Sequence, residues 1–146
     1  MELILWRHAE AEDGEPDIIR RLTAKGEKQA AKMSVFLRSR LPQDTRIFVS
    51  PSQRTQQTVR ALTKHFVTEP VIGPGADPRS VLNAVGWPEI GGSVLVVGHQ
   101  PYLGEIAAML LADADIAFSI KKGAVWWFTR RDHETILRLA IAPDLL

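Results

Sequence analysis

The sequence predicts an α/β fold, a three-layer sandwich whose mostly parallel, mixed central sheet carries helices on both faces. Three observations predict it. Leu3-Ile4-Leu5-Trp6 and Val94-Leu95-Val96-Val97 are continuous apolar runs without alternation, as expected of strands buried on both faces. Strand-like runs alternate with segments whose apolar residues recur at three- and four-residue steps. A hairpin-like pair near the end of the chain adds an antiparallel edge.

After the first strand, residues 9–21 form a polar loop with Gly14 and Pro16. Thr23 can cap a helix running to about Arg40, with Ala30, Met33, Leu37 and Leu41 on one face and Pro42 stopping it. Arg46 to Val49 is a second strand. Ser50-Pro51-Ser52-Gln53 then reads as a helix start with Ser50 as N-cap and Pro51 at the first helical position, and Thr55, Val59, Leu62 and Phe66 form its buried face. Glu69 to Ile72 reads as a short strand, 73–78 as a loop and Arg79 to Val85 as a short helix. Val94 to Val97 is the next strand. Gly98-His99-Gln100-Pro101 leads from it into a helix ending near Ala112. Val125 to Arg130 and Thr135 to Ile141 flank the turn Arg131-Asp132-His133-Glu134, with Trp126 and Phe128 sharing one face.

The totals bound the function. A chain of 146 residues suits one domain, 1–146. Its 45% hydrophobic and 24% charged residues are those of an ordinary soluble domain. A net charge of +1 gives no sign of a nucleic-acid or membrane surface, and no apolar run approaches the roughly 18 residues of a membrane span. There is no cysteine, which excludes disulfides, thiol catalysis and thiolate metal sites. The N-terminal apolar run is too short for a signal peptide, so a cytoplasmic location is expected.

Three strands end in chemistry-bearing residues. The first delivers Arg7-His8. The second delivers Ser50-Pro51, with Arg54 in the first turn after it. The third delivers Gly98-His99. In open α/β sheets, sites form outside the carboxyl ends of the strands, where these three segments converge if the strands are parallel. Two guanidiniums and two imidazoles suit an anion, and a phosphoryl group better than a carboxylate. Histidine can attack phosphorus, with Arg7, Arg54 and a protonated His99 offsetting the phosphoryl charge. No metal and no cofactor are expected, because the arginines repel a cation and two histidines alone make a poor ligand set. His65 and His133 are expected to be exposed bystanders.

The motifs W-R-H-A at 6–9, S-P-S-Q-R-T-Q-Q-T at 50–58 and V-G-H-Q-P at 97–101 resemble, in this order, those of the histidine phosphatase superfamily, the group that includes phosphoglycerate mutases. The short chain and the segment Arg20-Arg21-Leu22-Thr23 with Gly26 resemble the compact SixA-like phosphohistidine phosphatases and their R-x-L-T-x-x-G pattern. The resemblance implies a phosphoglycerate mutase-like fold with His8 as nucleophile. Arg7, Arg54 and His99 would complete the phosphate pocket, and Arg20 would stand at its rim. Ala9 occupies a position where the family usually has glycine. The inserted glutamate acid of larger members is missing, which leaves Asp77 as the candidate proton donor, with helix capping across Pro78 as its alternative role. A weak acid favours a leaving imidazole over a leaving alkoxide. The expected function is therefore a phosphohistidine phosphatase acting on a phosphohistidine-bearing protein. A phosphatase for small phosphate esters and a non-catalytic phosphate-binding module are the alternatives.

Overall fold

The computed structural model describes residues 1–146. Six strands form one sheet: β1 (Glu2–Arg7), β2 (Arg46–Val49), β3 (Val67–Thr68), β4 (Ser93–Gly98), β5 (Val125–Arg131) and β6 (Glu134–Ile141), in the spatial order β3-β2-β4-β1-β5-β6. β1 to β4 run parallel, while β5 pairs antiparallel with both β1 and β6. The mixed sheet with an antiparallel edge is the predicted architecture.

Four helices cover the sheet: α1 (Ala24–Arg38), α2 (Gln53–Arg60), α3 (Pro78–Ala84) and α4 (Tyr102–Ala112). The period-two alternation of β1 sorts them into two layers. Ile4 and Trp6 face α1 and α2 through Met33, Leu37 and Val59. Leu3 and Leu5 face α3 and α4 through Val81, Leu103 and Ile106. β1 and β4 are thus buried on both sides and lock the centre of the sheet, with Trp6 Nε1 donating to the Gly123 carbonyl at 3.1 Å.

Several boundaries differ from the sequence expectation, each for a local reason. Thr23 caps α1 as predicted, its hydroxyl accepting from the Gly26 amide at 3.0 Å. Ser50 does not cap α2. Ser52 does, accepting from the Thr55 amide, so Pro51 lies ahead of the helix and the helix starts two residues later. α2 also ends at Arg60, and Leu62 and Phe66 reach the core from beyond it. The predicted strand Glu69 to Ile72 is a 3₁₀ turn over Pro70–Ile72, and the strand is Val67–Thr68; Pro70 has no N–H to give a ladder. In the hairpin, Trp126 and Phe128 share the face packed on α3 and α4, while Trp127 takes the other. Trp127 is buried and Trp126 half-buried. Asp132 and His133 make the turn with positive φ.

Candidate active site

The parallel registers carry three chain segments to one edge. Arg7 lies opposite Gly98 and Val49 opposite Val97, so the next residues, His8, His99 and Ser50, emerge side by side. Backbone bonds continue the ladder past the strands: the His8 amide donates to Gly98 and the Ser50 amide to Val97, each at 3.1 Å. The His8 and His99 ring centroids are 5.3 Å apart. Arg54 reaches between them from the first turn of α2. His8, Arg54 and His99 are 7%, 4% and 2% exposed, so the polar cluster is held in a low-dielectric setting where its charges interact strongly.

His8 is set up as a neutral base. Its Nδ1 lies 2.7 Å from the Ala9 carbonyl, which can only accept, so Nδ1 carries the proton and Nε2 keeps its lone pair. Arg54 Nε donates to that Nε2 at 3.3 Å. Burial, more than the nearby Arg54, Arg7 and Arg20 charges, pushes the His8 pKa down to about 4, with the Ala9 carbonyl acting the other way. The lowered pKa favours the uncharged ring, with its single proton on Nδ1, at neutral pH.

His99 is also neutral. Burial, then His8 and Arg54, lower its pKa to about 3. Its Nδ1 lies 3.3 Å from Arg54 Nη2, a group that can only donate, and its Nε2 lies 2.7 Å from the Ser50 hydroxyl. Desolvation and the facing guanidinium thus disfavour the protonated form of His99. An anion placed among these groups would offset the guanidinium charge and favour its return. Ser50 forgoes the predicted capping role because its hydroxyl orients His99.

The arginines divide into two kinds. Arg7 Nη1 donates to the Ile120 carbonyl at 2.8 Å, while its buried Nε has no partner in the protein. Arg20 stands at the rim, its Nε donating to the Glu12 carbonyl at 2.7 Å. Between Arg20 and Arg54 sits a residue the sequence reading missed. Asp17 Oδ1 accepts from Arg20 Nη1 and Oδ2 from Arg54 Nη2, each at 3.0 Å, and its backbone carbonyl accepts from Arg54 Nη1 at 2.9 Å. The hydrogen bond from Arg20, followed by Arg54, lowers the Asp17 pKa. A carboxylate bridging two guanidiniums competes with any incoming anion for the same donors. The available signal was Asp17 standing three residues before Arg20 in a loop rich in carboxylates (Glu10, Glu12, Asp13, Glu15).

Ala9 is accommodated without strain. It is fully buried against Leu22 and Ala30, its amide donates to Thr58 Oγ1 at 3.1 Å, and it is not among the residues with positive φ. Gly26 is needed, because a Cβ there would collide with the Glu10 carbonyl where the loop crosses the start of α1. Asp77 is not brought to the cluster. Its carboxylate caps α3, accepting from the Ser80 amide at 3.0 Å, and it lines a hollow with Glu105 and Met109 that shares no residue with the His8–His99 pocket. His65 and His133 are exposed.

The fold and this pocket define an α/β protein with two buried histidines and an arginine between them at one sheet edge. Comparison gives the family. The profile of the histidine phosphatase superfamily (branch 1) matches residues 3–77, which hold Arg7, His8, Arg20 and Arg54. A phosphohistidine phosphatase SixA homolog of Haemophilus influenzae is 33% identical, over 75% of this chain and 77% of that one. Among solved structures, a protein histidine phosphatase SixA complexed with tungstate matches with TM-score 0.79 and 23% identity over 99% of both chains. A phosphoserine phosphatase mutant of Entamoeba histolytica in complex with phosphoserine matches with TM-score 0.76 and 16% identity, over 99% of this chain and 98% of that one. The chain belongs to the histidine phosphatase superfamily, and it is SixA-like within it.

Proposed function

We propose that this protein is a phosphohistidine phosphatase that works through a covalent intermediate on His8. The observation that carries the reading is the His8 ring: neutral, oriented by the Ala9 carbonyl and presenting Nε2 to the arginine-lined pocket. In the first step, Nε2 forms a bond to phosphorus as the substrate P–N bond breaks. The electron pair goes to the leaving imidazole nitrogen, which takes a proton from solvent. The phosphorylated His8 ring bears positive charge, and its Nδ1–H···O=C bond to Ala9 stabilises it. Arg54, the free Nε–H of Arg7 and a His99 that regains its proton hold the phosphoryl oxygens. Water then attacks phosphorus and returns the electron pair to Nε2.

Leaving-group chemistry favours phosphohistidine over an alkyl ester. The one carboxylate in the cluster, Asp17, is bound to two arginines and held ionised, so it is a poor acid. An imidazole leaves without a strong acid, whereas an alkoxide needs one. The SixA homolog among the relatives supports this reading, and the phosphoserine phosphatase supports the second one, turnover of small phosphate esters. We take the whole chain, 1–146, as one metal-independent phosphatase domain of the cytoplasm.

The test compares free phosphohistidine, a phosphohistidine peptide, phosphoserine and p-nitrophenyl phosphate, with and without chelator. Turnover of the first two above the others, unchanged by chelator, with labelled phosphate trapped on His8 after quenching, is the expected result. Label on another residue would overturn the intermediate. Faster phosphoserine turnover would favour the ester reading, and binding of phosphate without any turnover would leave a phosphate-binding module.

A further inference from the structure

The sequence has six lysines: Lys25, Lys28, Lys32, Lys64, Lys121 and Lys122. All but Lys64 line a single hollow of about 620 Å³, together with Arg7. The first three stand at three- and four-residue steps along one exposed stripe of α1. The last two come from the loop before β5, almost a hundred positions away in the chain. One carboxylate, Asp144, shares the lining; its pair with Lys121 is 3.8 Å long and solvent-exposed on both sides, so it offsets little. None of the other four lysines has a carboxylate within 4.0 Å. In a chain whose net charge is only +1, this is a strong local concentration of positive charge.

The hollow is tied to the reaction centre by covalent and hydrogen-bonded links. Arg7 lines it, and Arg7 Nη1 donates to the Ile120 carbonyl, one residue before Lys121. The amide of Gly123, one residue after Lys122, donates to the carbonyl of His8 itself at 3.0 Å. A ligand seated against the lysines is therefore next to the nucleophile's own backbone. Two carboxylates of the neighbouring loop are engaged elsewhere: Glu10 accepts from Thr23, and Asp17 holds Arg20 and Arg54.

Resting on the phosphohistidine reading, we infer that this hollow is the docking surface for an acidic face of the phosphohistidine-bearing protein. Lysines favour that class of partner. They are point charges on flexible stems, suited to several carboxylates at loosely defined positions, whereas one small planar anion is better matched by arginine. Clustered like charges in water raise the local concentration of anions and speed their capture, and salt screens the effect.

The test uses two synthetic phosphohistidine peptides of equal length, one flanked by glutamates and one by serines, with free phosphohistidine as control. At low salt the glutamate-flanked peptide is turned over with kcat/KM about tenfold higher, and the advantage shrinks to within about twofold at molar-range salt. Lys121→Glu with Lys122→Glu, and separately Lys25→Gln with Lys28→Gln and Lys32→Gln, lose that preference while free phosphohistidine turnover stays unchanged. Equal kcat/KM for the two peptides, or variants that keep the preference, overturn the docking surface alone. Inhibition by a single-stranded oligonucleotide but not by polyglutamate overturns it in favour of a nucleic acid. If the wild type hydrolyses neither the peptides nor free phosphohistidine, the underlying reading fails, and the docking inference with it.

Discussion

The inner pocket and its rim are built on opposite principles. His8, Arg54 and His99 sit where parallel strands end, almost fully buried, each held by at least two hydrogen bonds. Arg20 and Asp17 sit on the loop after β1, at the edge of water. Burial in the pocket makes each charge and lone pair count and allows little movement. Exposure at the rim weakens each contact and leaves it free to exchange. On the proposed function, the pocket would fix phosphorus and the rim would select what carries it.

The largest effects are expected from the pocket. His8→Ala should reduce turnover on the order of 10⁴-fold or more while circular dichroism reports an intact fold. Near-normal activity in that variant would remove His8 from the mechanism. Arg54→Ala should cost about 2–4 kcal/mol of transition-state stabilisation, read from kcat/KM.

The buried histidines also link the pocket to stability. Both have pKa values in the folded protein, about 4 and about 3, below the roughly 6.5 of an unfolded histidine. The unfolded chain then binds more protons than the folded one between those values. The stability associated with the neutral rings is complete above about pH 6.5 and is lost as pH falls toward 3. Asp17, with its lowered pKa, adds a loss in the same direction at the acid end. The melting temperature should fall between pH 7 and pH 4, and fall less steeply in the double variant His8→Asn, His99→Asn. Parallel curves would mean that the two rings are not held neutral.

Rim changes should be smaller. Asp17→Asn removes a charge that competes for Arg54 and Arg20, so KM for phosphohistidine should drop several-fold with little change in kcat. A rise in KM would instead show that Asp17 holds the arginines in place for the substrate. Asp77→Ala should be nearly silent in activity and cost about 1 kcal/mol in stability, the value of one helix cap. A loss of kcat beyond tenfold would restore Asp77 as a proton donor.

Much of the pocket was legible because it follows from local pattern. A continuous apolar run marks a buried strand, and the residue after the run must surface at the sheet edge, so Arg7-His8 and Gly98-His99 could be placed together from the chain alone. The start of α2 was less legible. Ser50 is a good cap in sequence, yet in the fold its hydroxyl meets His99 at 2.7 Å and Ser52 caps the helix instead. Asp17 was illegible because nothing periodic marks a loop carboxylate; its pairing with Arg54 exists only once the loop folds over α2.

The sequence by itself determined the layered fold and the meeting of His8, Arg54 and His99 at one sheet edge, because side-chain period and strand ends are properties of neighbouring residues. Tertiary structure alone decided that both histidine pKa values are lowered, that Asp17 bridges two arginines, and that five lysines line one hollow. Those facts depend on desolvation and on charges brought together from distant parts of the chain, and neither quantity exists until the chain has packed.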